Sequence, residues 1–390
     1  MKRTIMLAWA SLAATPAFAQ SSVTLYGIVD DGIVYVNHSA PRATAQGQKV
    51  FQMGSANESR WGLTGREDLG GGLRAIFTLE NGFNINNGTM GSGGRLFGRQ
   101  AYVGLDSTRF GQLTLGRQYD FGVLYVGPMA SSKQWAGGYG AHVGDSDNFY
   151  NSFRLNNSVK YAMPAWHGLE AGAGYAFSNQ ASDGAGGGFA NNRAYTFGAR
   201  YGAGPFAVAA SYLQLNHPVA GNTGGSNTGG AVAGDYSNIR NIFYGNVARQ
   251  RVAAGGATYA FGPASAGFVY SWVGFDYNDS TASHLSNYEI NAKYNITSAL
   301  LVGAAFIYTD GHMGGGQSRG SFATGDDTNW KQVNLGLDYA LSKRTELYTI
   351  AVWQRAGGDA RQAAIFNSGG LSGSSSRDQI LVAAGLRAKF

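Results

Sequence analysis

Apolar and polar residues alternate along most of this chain. Tyr288, Ile290, Ala292 and Tyr294 fall on one face of a segment whose other face carries Glu289, Asn291 and Lys293. Val333, Leu335, Leu337 and Tyr339 alternate in the same way with Gln332, Asn334, Gly336 and Asp338. A period of two is that of a β-strand with two unlike faces. Near the start, Val23 to Asp30 is rich in β formers. Ser59 to Arg66 puts Arg60, Gly62, Thr64 and Arg66 on one face and Trp61, Leu63 and Gly65 on the other. Asp68-Leu69-Gly70-Gly71-Gly72 turns the chain, and Leu73 to Leu79 returns it as the second arm of a hairpin.

The unit recurs to the end. Short turns at 107–111, 164–168, 202–205, 262–264, 297–299 and 342–345 alternate with longer Gly-rich loops. The loops run over 83–94, 120–150, 179–190, 216–246, 279–284, 311–328 and 356–376. About sixteen strands are predicted, and alternating long and short connections mark an all-β, antiparallel transmembrane barrel with short periplasmic turns and long outer loops. A soluble sandwich would alternate too, but so many strands with aromatics at their ends fit the two interfacial girdles of a membrane barrel. The last strand runs from Gln379 to a terminal Phe390. Ile380, Val382, Ala384, Leu386, Ala388 and Phe390 lie in one phase, with Arg387 and Lys389 in the other. A terminal aromatic on such a strand resembles an outer-membrane assembly signal.

Composition narrows the picture. There is no Cys, which excludes a disulfide scaffold and a thiolate metal site. Charged residues make up 13%, against about 25% in soluble domains, while Gly reaches 60. Lys2 and Arg3, the apolar run from Ile5 to Ala10, and Ala17-Phe18-Ala19 read as a signal peptide over 1–19, leaving one barrel domain over 20–390. No later segment has the roughly 18 successive apolar residues of a membrane helix. A secreted chain without one is soluble or a closed barrel. The excess of 29 Lys and Arg over 23 Asp and Glu is too mild and dispersed to argue for nucleic acid.

One connection is unlike the others. Between Arg117 and Arg154 lie about thirty residues without a helical period, a length that is usually functional or disordered. Phe121, Tyr125, Met129, Trp135, Tyr139, Phe149 and Tyr150 argue for order.

Four blocks carry a family resemblance that runs nearly end to end: Val23 to Gly27, Ser59 to Gly72, Arg99 to Leu105, and Phe110 to Gln118. Together they resemble the general diffusion porins of Gram-negative outer membranes, in particular a proteobacterial branch with anion-preferring members. The resemblance implies a homotrimer of 16-stranded barrels whose third outer loop folds inward as an eyelet, with basic wall residues facing acidic loop residues. On the matching positions it implies a pore constriction of Arg60, Arg99 and Arg154. The strand pattern independently supports Arg60 and Arg154, whose faces are polar. Arg99 rests on resemblance, because its face also carries Ala101, Val103 and Leu105. Lys133, in mid-loop, is added as a fourth positive charge.

The loop departs from the family where it should be acidic. Asp120 is the only carboxylate between Arg117 and Gly144. Asp145 and Asp147 come late, and with Asp326 and Asp327 they are expected at an acidic outer mouth. The constriction itself is expected to be net positive, with a weak transverse field. Arg117 shares the phase of Leu113 and Leu115 and stays outside the pore set; in relatives it serves a subunit contact, but residues 83–94 hold no acidic partner.

The expected function is therefore passive diffusion of small hydrophilic solutes and ions through the outer membrane, with a substrate-specific channel as the alternative. An enzyme would need a His beside a Ser or Asp, held by a third group. His38, His142, His167, His217, His284 and His312 are expected in loops, turns or strand starts, and none forms a pair with a Ser nucleophile on one strand face. Asp145-Ser146-Asp147-Asn148 lacks the Gly and distal Glu of a calcium loop and reads as a turn. No cofactor and no nucleic acid is expected. The partners are two further copies of the chain, outer-membrane lipids and lipopolysaccharide, the barrel-assembly machinery through Phe390, and small hydrophilic solutes and anions.

Overall fold

A computed structural model describes residues 22–40, 46–179, 191–218, 229–236, 247–314, 325–366 and 373–390. The signal peptide lies outside the described residues. These residues form seventeen strands: β1 (Ser22–Ser39), β2 (Gln48–Met53), β3 (Ser59–Gly70), β4 (Leu73–Phe83), β5 (Gln100–Ser107), β6 (Gly111–Gln118), β7 (Leu155–Ala162), β8 (Leu169–Ala176), β9 (Arg193–Ala203), β10 (Phe206–Asn216), β11 (Val247–Phe261), β12 (Ala264–Tyr277), β13 (Ala282–Asn295), β14 (Leu300–Gly314), β15 (Asp327–Ala340), β16 (Thr345–Gly358) and β17 (Asp378–Lys389). Every pairing is antiparallel, and β1 closes the ring on β17, from Ile28↔Lys389 to Val36↔Leu381.

Seventeen strands fill sixteen wall positions. Both β2 and β3 pair with the other edge of β1, β3 against its first half and β2 against its second. They are one wall strand broken at residues 54–58. The sequence pattern identified only the β3 half and stopped β1 early. The break is braced by Asp30, whose buried carboxylate accepts from Ala56 N (3.1 Å), the Tyr348 hydroxyl (2.8 Å) and Arg387 Nε (2.7 Å).

Side-chain burial is inverted relative to a soluble sandwich. In β13, Ile290 is 59% exposed while Glu289 is 0% exposed. Leu335, Leu337 and Tyr339 face outward from β15, and Gln332 and Asn334 are buried within. Apolar outside and polar inside is the arrangement of a barrel in lipid. Tyr270, Tyr288 and Tyr308 run across β12, β13 and β14 at ring-centre distances of 5.0 and 6.4 Å. At the closure, Phe390 N donates to Gly27 O (3.1 Å) and Gly27 N to Phe390 O (3.0 Å). A Cβ on Gly27 would come within 2.3 Å of the Phe390 ring, so that contact requires glycine.

Candidate functional site

The connection between β6 and β7 lies inside the barrel. It leaves β6 at a bulge, where Gly116 has φ 134° and the register with β7 shifts. Short helical turns follow at Gly122–Val126, Gly127–Met129, Ser131–Gln134, Gly138–Gly140 and Val143–Asp145. A segment this irregular leaves backbone groups unpaired, and in a barrel they must find partners on the wall. The inward polar faces identified from sequence supply them. Glu289 accepts from Ser131 N (2.6 Å), Asn291 Nδ2 donates to Met129 O (2.9 Å), and Asn334 Nδ2 donates to Gly140 O (3.1 Å). Trp135 lies flat on Gly303 and Gly336, where a Cβ would sit 2.3 Å from the indole.

His142 forms the deepest anchor. Its Nδ1 lies 2.6 Å from Asp147 Oδ2 and its Nε2 2.9 Å from Glu289 Oε2, all three buried. Ser271 Oγ donates to the same Asp147 oxygen at 2.6 Å. Burial opposes a charged imidazole, but the two carboxylates overcome it and push His142 up to about 10. Burial also acts on Asp147, yet His142 holds it below its ordinary value. Asp145 accepts from Tyr150 N (2.8 Å), Ser152 N (3.0 Å) and Ser152 Oγ (2.7 Å), and burial with Asp147 beside it pushes it up to about 7. Asp145 and Asp147 are therefore not part of an acidic mouth: they are consumed inside the loop's own fold. Of the mouth candidates, Asp327 does stand exposed, 2.6 Å from His312 Nδ1.

The opposite face of the loop is wet. Between it and the wall is a cavity of about 1050 Å³, lined by Arg60, Arg99, Arg154 and Lys133. The four come from β3, the approach to β5, the approach to β7 and the loop helix at Ser131–Gln134. Arg99 lies before its strand begins, so the outward phase of Val103 and Leu105 does not govern it. Lys133 Nζ donates to Tyr150 O (3.0 Å) and sits 5.1 Å from that ring's centre. Burial and the nearby Arg99 pull Lys133 down to about 7, with Asp145 acting the other way.

Two carboxylates in the same cavity were missed from sequence. Glu58, in the break between β2 and β3, pairs with Arg99 and, at 3.2 Å, with Arg154 Nη2. Burial raises it, but Arg99 and Arg154 hold it below its ordinary value. Glu80, on β4, accepts from Arg99 Nε (2.6 Å), the Tyr119 hydroxyl (2.7 Å) and the Tyr26 hydroxyl (2.8 Å). Gly82 and Gly91 make the seat for Glu58: a Cβ there would stand 2.4 and 2.6 Å from its Oε1. The signal was the phase of Arg60, which extends two residues back to Glu58. Among the described residues Arg60 has no carboxylate ion pair; its Nη1 donates to Glu58 O at 3.4 Å.

Arg117 does not line this cavity. It is buried at the end of β6, where its guanidinium donates to Gly98 O (2.6 and 2.8 Å), to Asn156 Oδ1 and to Asp235. The acidic partner missing from the second outer loop is Asp235, between β10 and β11, which also takes Arg95 Nη1 at 2.6 Å. His142 and His312 each meet a carboxylate and not a serine, and His284 and His312 stand within β13 and β14 and not in loops. His142 does lie beside Asp147 and Ser271, but the group is sealed from solvent. No group of three His, Cys, Asp or Glu that could hold a metal occurs among the described residues.

A family model described as Gram-negative porin matches residues 4–359. An outer membrane porin of Bordetella pertussis is 36% identical over 381 residues, covering 91% of this chain and 94% of its own length. Outer membrane porin protein 32 of Delftia acidovorans is 38% identical over 193 residues, 46% of this chain and 51% of that protein. Among solved structures, an anion-selective porin from Comamonas acidovorans superposes with a TM-score of 0.71 at 25% identity, covering 95% of this chain and 100% of that one.

Proposed function

The chain belongs to the Gram-negative porin family, and from that premise we propose that its channel prefers anions and that Arg60, Arg99, Arg154 and Lys133 set the preference. The protein is an outer-membrane barrel through which small hydrophilic solutes and ions diffuse passively. The observation that carries the anion reading is the charge balance of one cavity, where four cationic side chains meet two carboxylates. Both carboxylates are engaged by Arg99, and Arg154 shares one of them. Arg60 and Lys133 carry the charge that is left. Rings of basic side chains select anions as carboxylate rings select cations. In a wet passage each charge contributes about 1 kcal/mol at contact distance, so a surplus of between one and two biases permeation about tenfold. The anion-selective Comamonas porin of similar fold supports the same sign.

The test is the reversal potential in a KCl gradient across a planar bilayer. The wild type should show the sign for chloride, and neutralising Arg60, Arg99 and Arg154 together should move it toward potassium. A cation-selective wild type, or a triple variant with unchanged selectivity, contradicts the assignment. The homotrimer and the contact of Phe390 with the assembly machinery belong to the same reading. Phe390 closes the barrel on Gly27 and is not among the residues that line the cavity, so its removal should lower outer-membrane yield more than conductance.

A further inference from the structure

We propose that the constriction contains a weak, saturable site for small aromatic carboxylates, built by Arg60, Arg154 and Asn151 for the carboxylate and by Tyr150 and Phe366 for the ring. The inference rests on the anion-preferring reading and narrows it to a class of solute.

The first observation is unspent hydrogen-bonding capacity at the cavity wall. Asn151 is 3% exposed and Arg154 4%, and both line the cavity. Neither Asn151 Nδ2 nor Oδ1 has a hydrogen-bond partner among the described residues, and neither has Arg154 Nε. Buried polar groups are nearly always paired, so an unpaired one beside a cavity calls for a partner such as a water or an ion. Asn151 is held in the left-handed region at φ 80°, a conformation that an ordinary side chain resists. Arg60 adds a guanidinium with no carboxylate of its own. Arg60, Arg154 and Asn151 line one cavity, and guanidinium and amide donors suit the planar, two-oxygen acceptor of a carboxylate. Chloride, a single sphere, cannot use such a fork.

The second observation concerns the rings. Tyr150 and Phe366 line the same cavity and meet edge to face, 6.0 Å between centres. Tyr150 is fixed from three sides, by its hydroxyl on Ala56 O (2.8 Å), by its N–H on Asp145, and by Lys133 near its ring. Phe366 comes from the long outer connection between β16 and β17, so two distant parts of the chain contribute one aromatic corner. Such a corner offers a flat ring edge-to-face and stacking contacts that an aliphatic acid cannot make. Glu58 and Glu80 are already paired with arginine, which lowers the repulsion an incoming carboxylate meets.

Single-channel current through the reconstituted protein tests this with three probes: benzoate, acetate and benzyl alcohol. Benzoate should reduce chloride current with a saturating dose dependence. Equal concentrations of acetate and benzyl alcohol should each act at least about fivefold more weakly. Phe366→Ala should bring the potency of benzoate down to that of acetate, and Asn151→Ala should weaken benzoate and acetate alike. A chloride-preferring wild type in which benzoate and acetate act equally overturns the aromatic site and leaves the anion reading standing. Unchanged benzoate potency in Phe366→Ala overturns it too. A cation-selective wild type overturns the premise itself.

Discussion

The two faces of the inward loop use charge in opposite ways. On the face against β12 to β15, His142, Asp147 and Glu289 form a chain of charge-assisted hydrogen bonds sealed from water. On the face toward β3 to β5, Lys133 and the wall arginines border an open cavity. Charges sealed together act on one another and fix a position, whereas charges left beside water project a field onto whatever passes. The loop's acidic residues therefore count toward its shape, and the passage takes its counter-charges from the wall, at Glu58 and Glu80. That difference predicts which substitutions change geometry and which change selectivity.

The largest effect is expected on the sealed face. His142→Ala leaves Asp147 and Glu289 buried and facing each other without a cation. Breaking a buried pair from one side costs about 3–5 kcal/mol. Detachment of the loop should follow, with larger, noisier single-channel conductance and a lower temperature for barrel unfolding. The wild type should show a milder form of this with pH. Since the folded-state value of His142 is raised from 6.5 to about 10, its stabilisation is complete below pH 6.5. It declines as pH rises from there and is gone past pH 10. Quiet current at pH 11, or in His142→Ala at neutral pH, would separate the loop's position from this anchor.

A smaller effect belongs to the wet face. Lys133 titrates at about 7, so the constriction loses positive charge as pH rises from 6 to 8. Asp145, pushed up to about 7, ionises over the same interval but is sealed inside the loop and does not line the cavity. The change at Lys133 lowers the preference for chloride, by about fourfold given a contribution near 1 kcal/mol per full charge. Permeability ratios measured from pH 5 to 9 should fall accordingly, and Lys133→Met should flatten most of the curve. A ratio that rises with pH would mean that Lys133 does not reach the ion path.

The fold was legible because its pattern is local. The alternation at 288–294 and 332–339 states which side chains face lipid, and the same polar positions, Glu289, Asn291, Gln332 and Asn334, hold the loop. Arg60, Arg99, Arg154 and Lys133 line one cavity, and their role in selectivity is the proposal made above. What sequence could not convey is the pairing that depends on distant parts of the chain. Glu58 acts from a break that exists because Asp30, Tyr348 and Arg387 brace it from three strands. Asp145 and Asp147 look like mouth residues until the loop folds back on itself and Ser271 and Glu289 close over it. Arg117 finds Asp235 across 118 residues of sequence, which no spacing rule announces.

The most direct measurement compares one neutralised carboxylate on each side of the loop. Glu58→Gln and Glu289→Gln each remove a single negative charge and keep the side chain's shape. Reversal potentials in the same KCl gradient should move toward chloride by several-fold in permeability ratio for Glu58→Gln, because it frees Arg99 and Arg154 beside water. Glu289→Gln should leave the ratio close to wild type, because Glu289 is buried on the sealed face of the loop and does not line the cavity. Equal shifts in the two variants, or a shift only in Glu289→Gln, would contradict the division of labour between the wall and the loop.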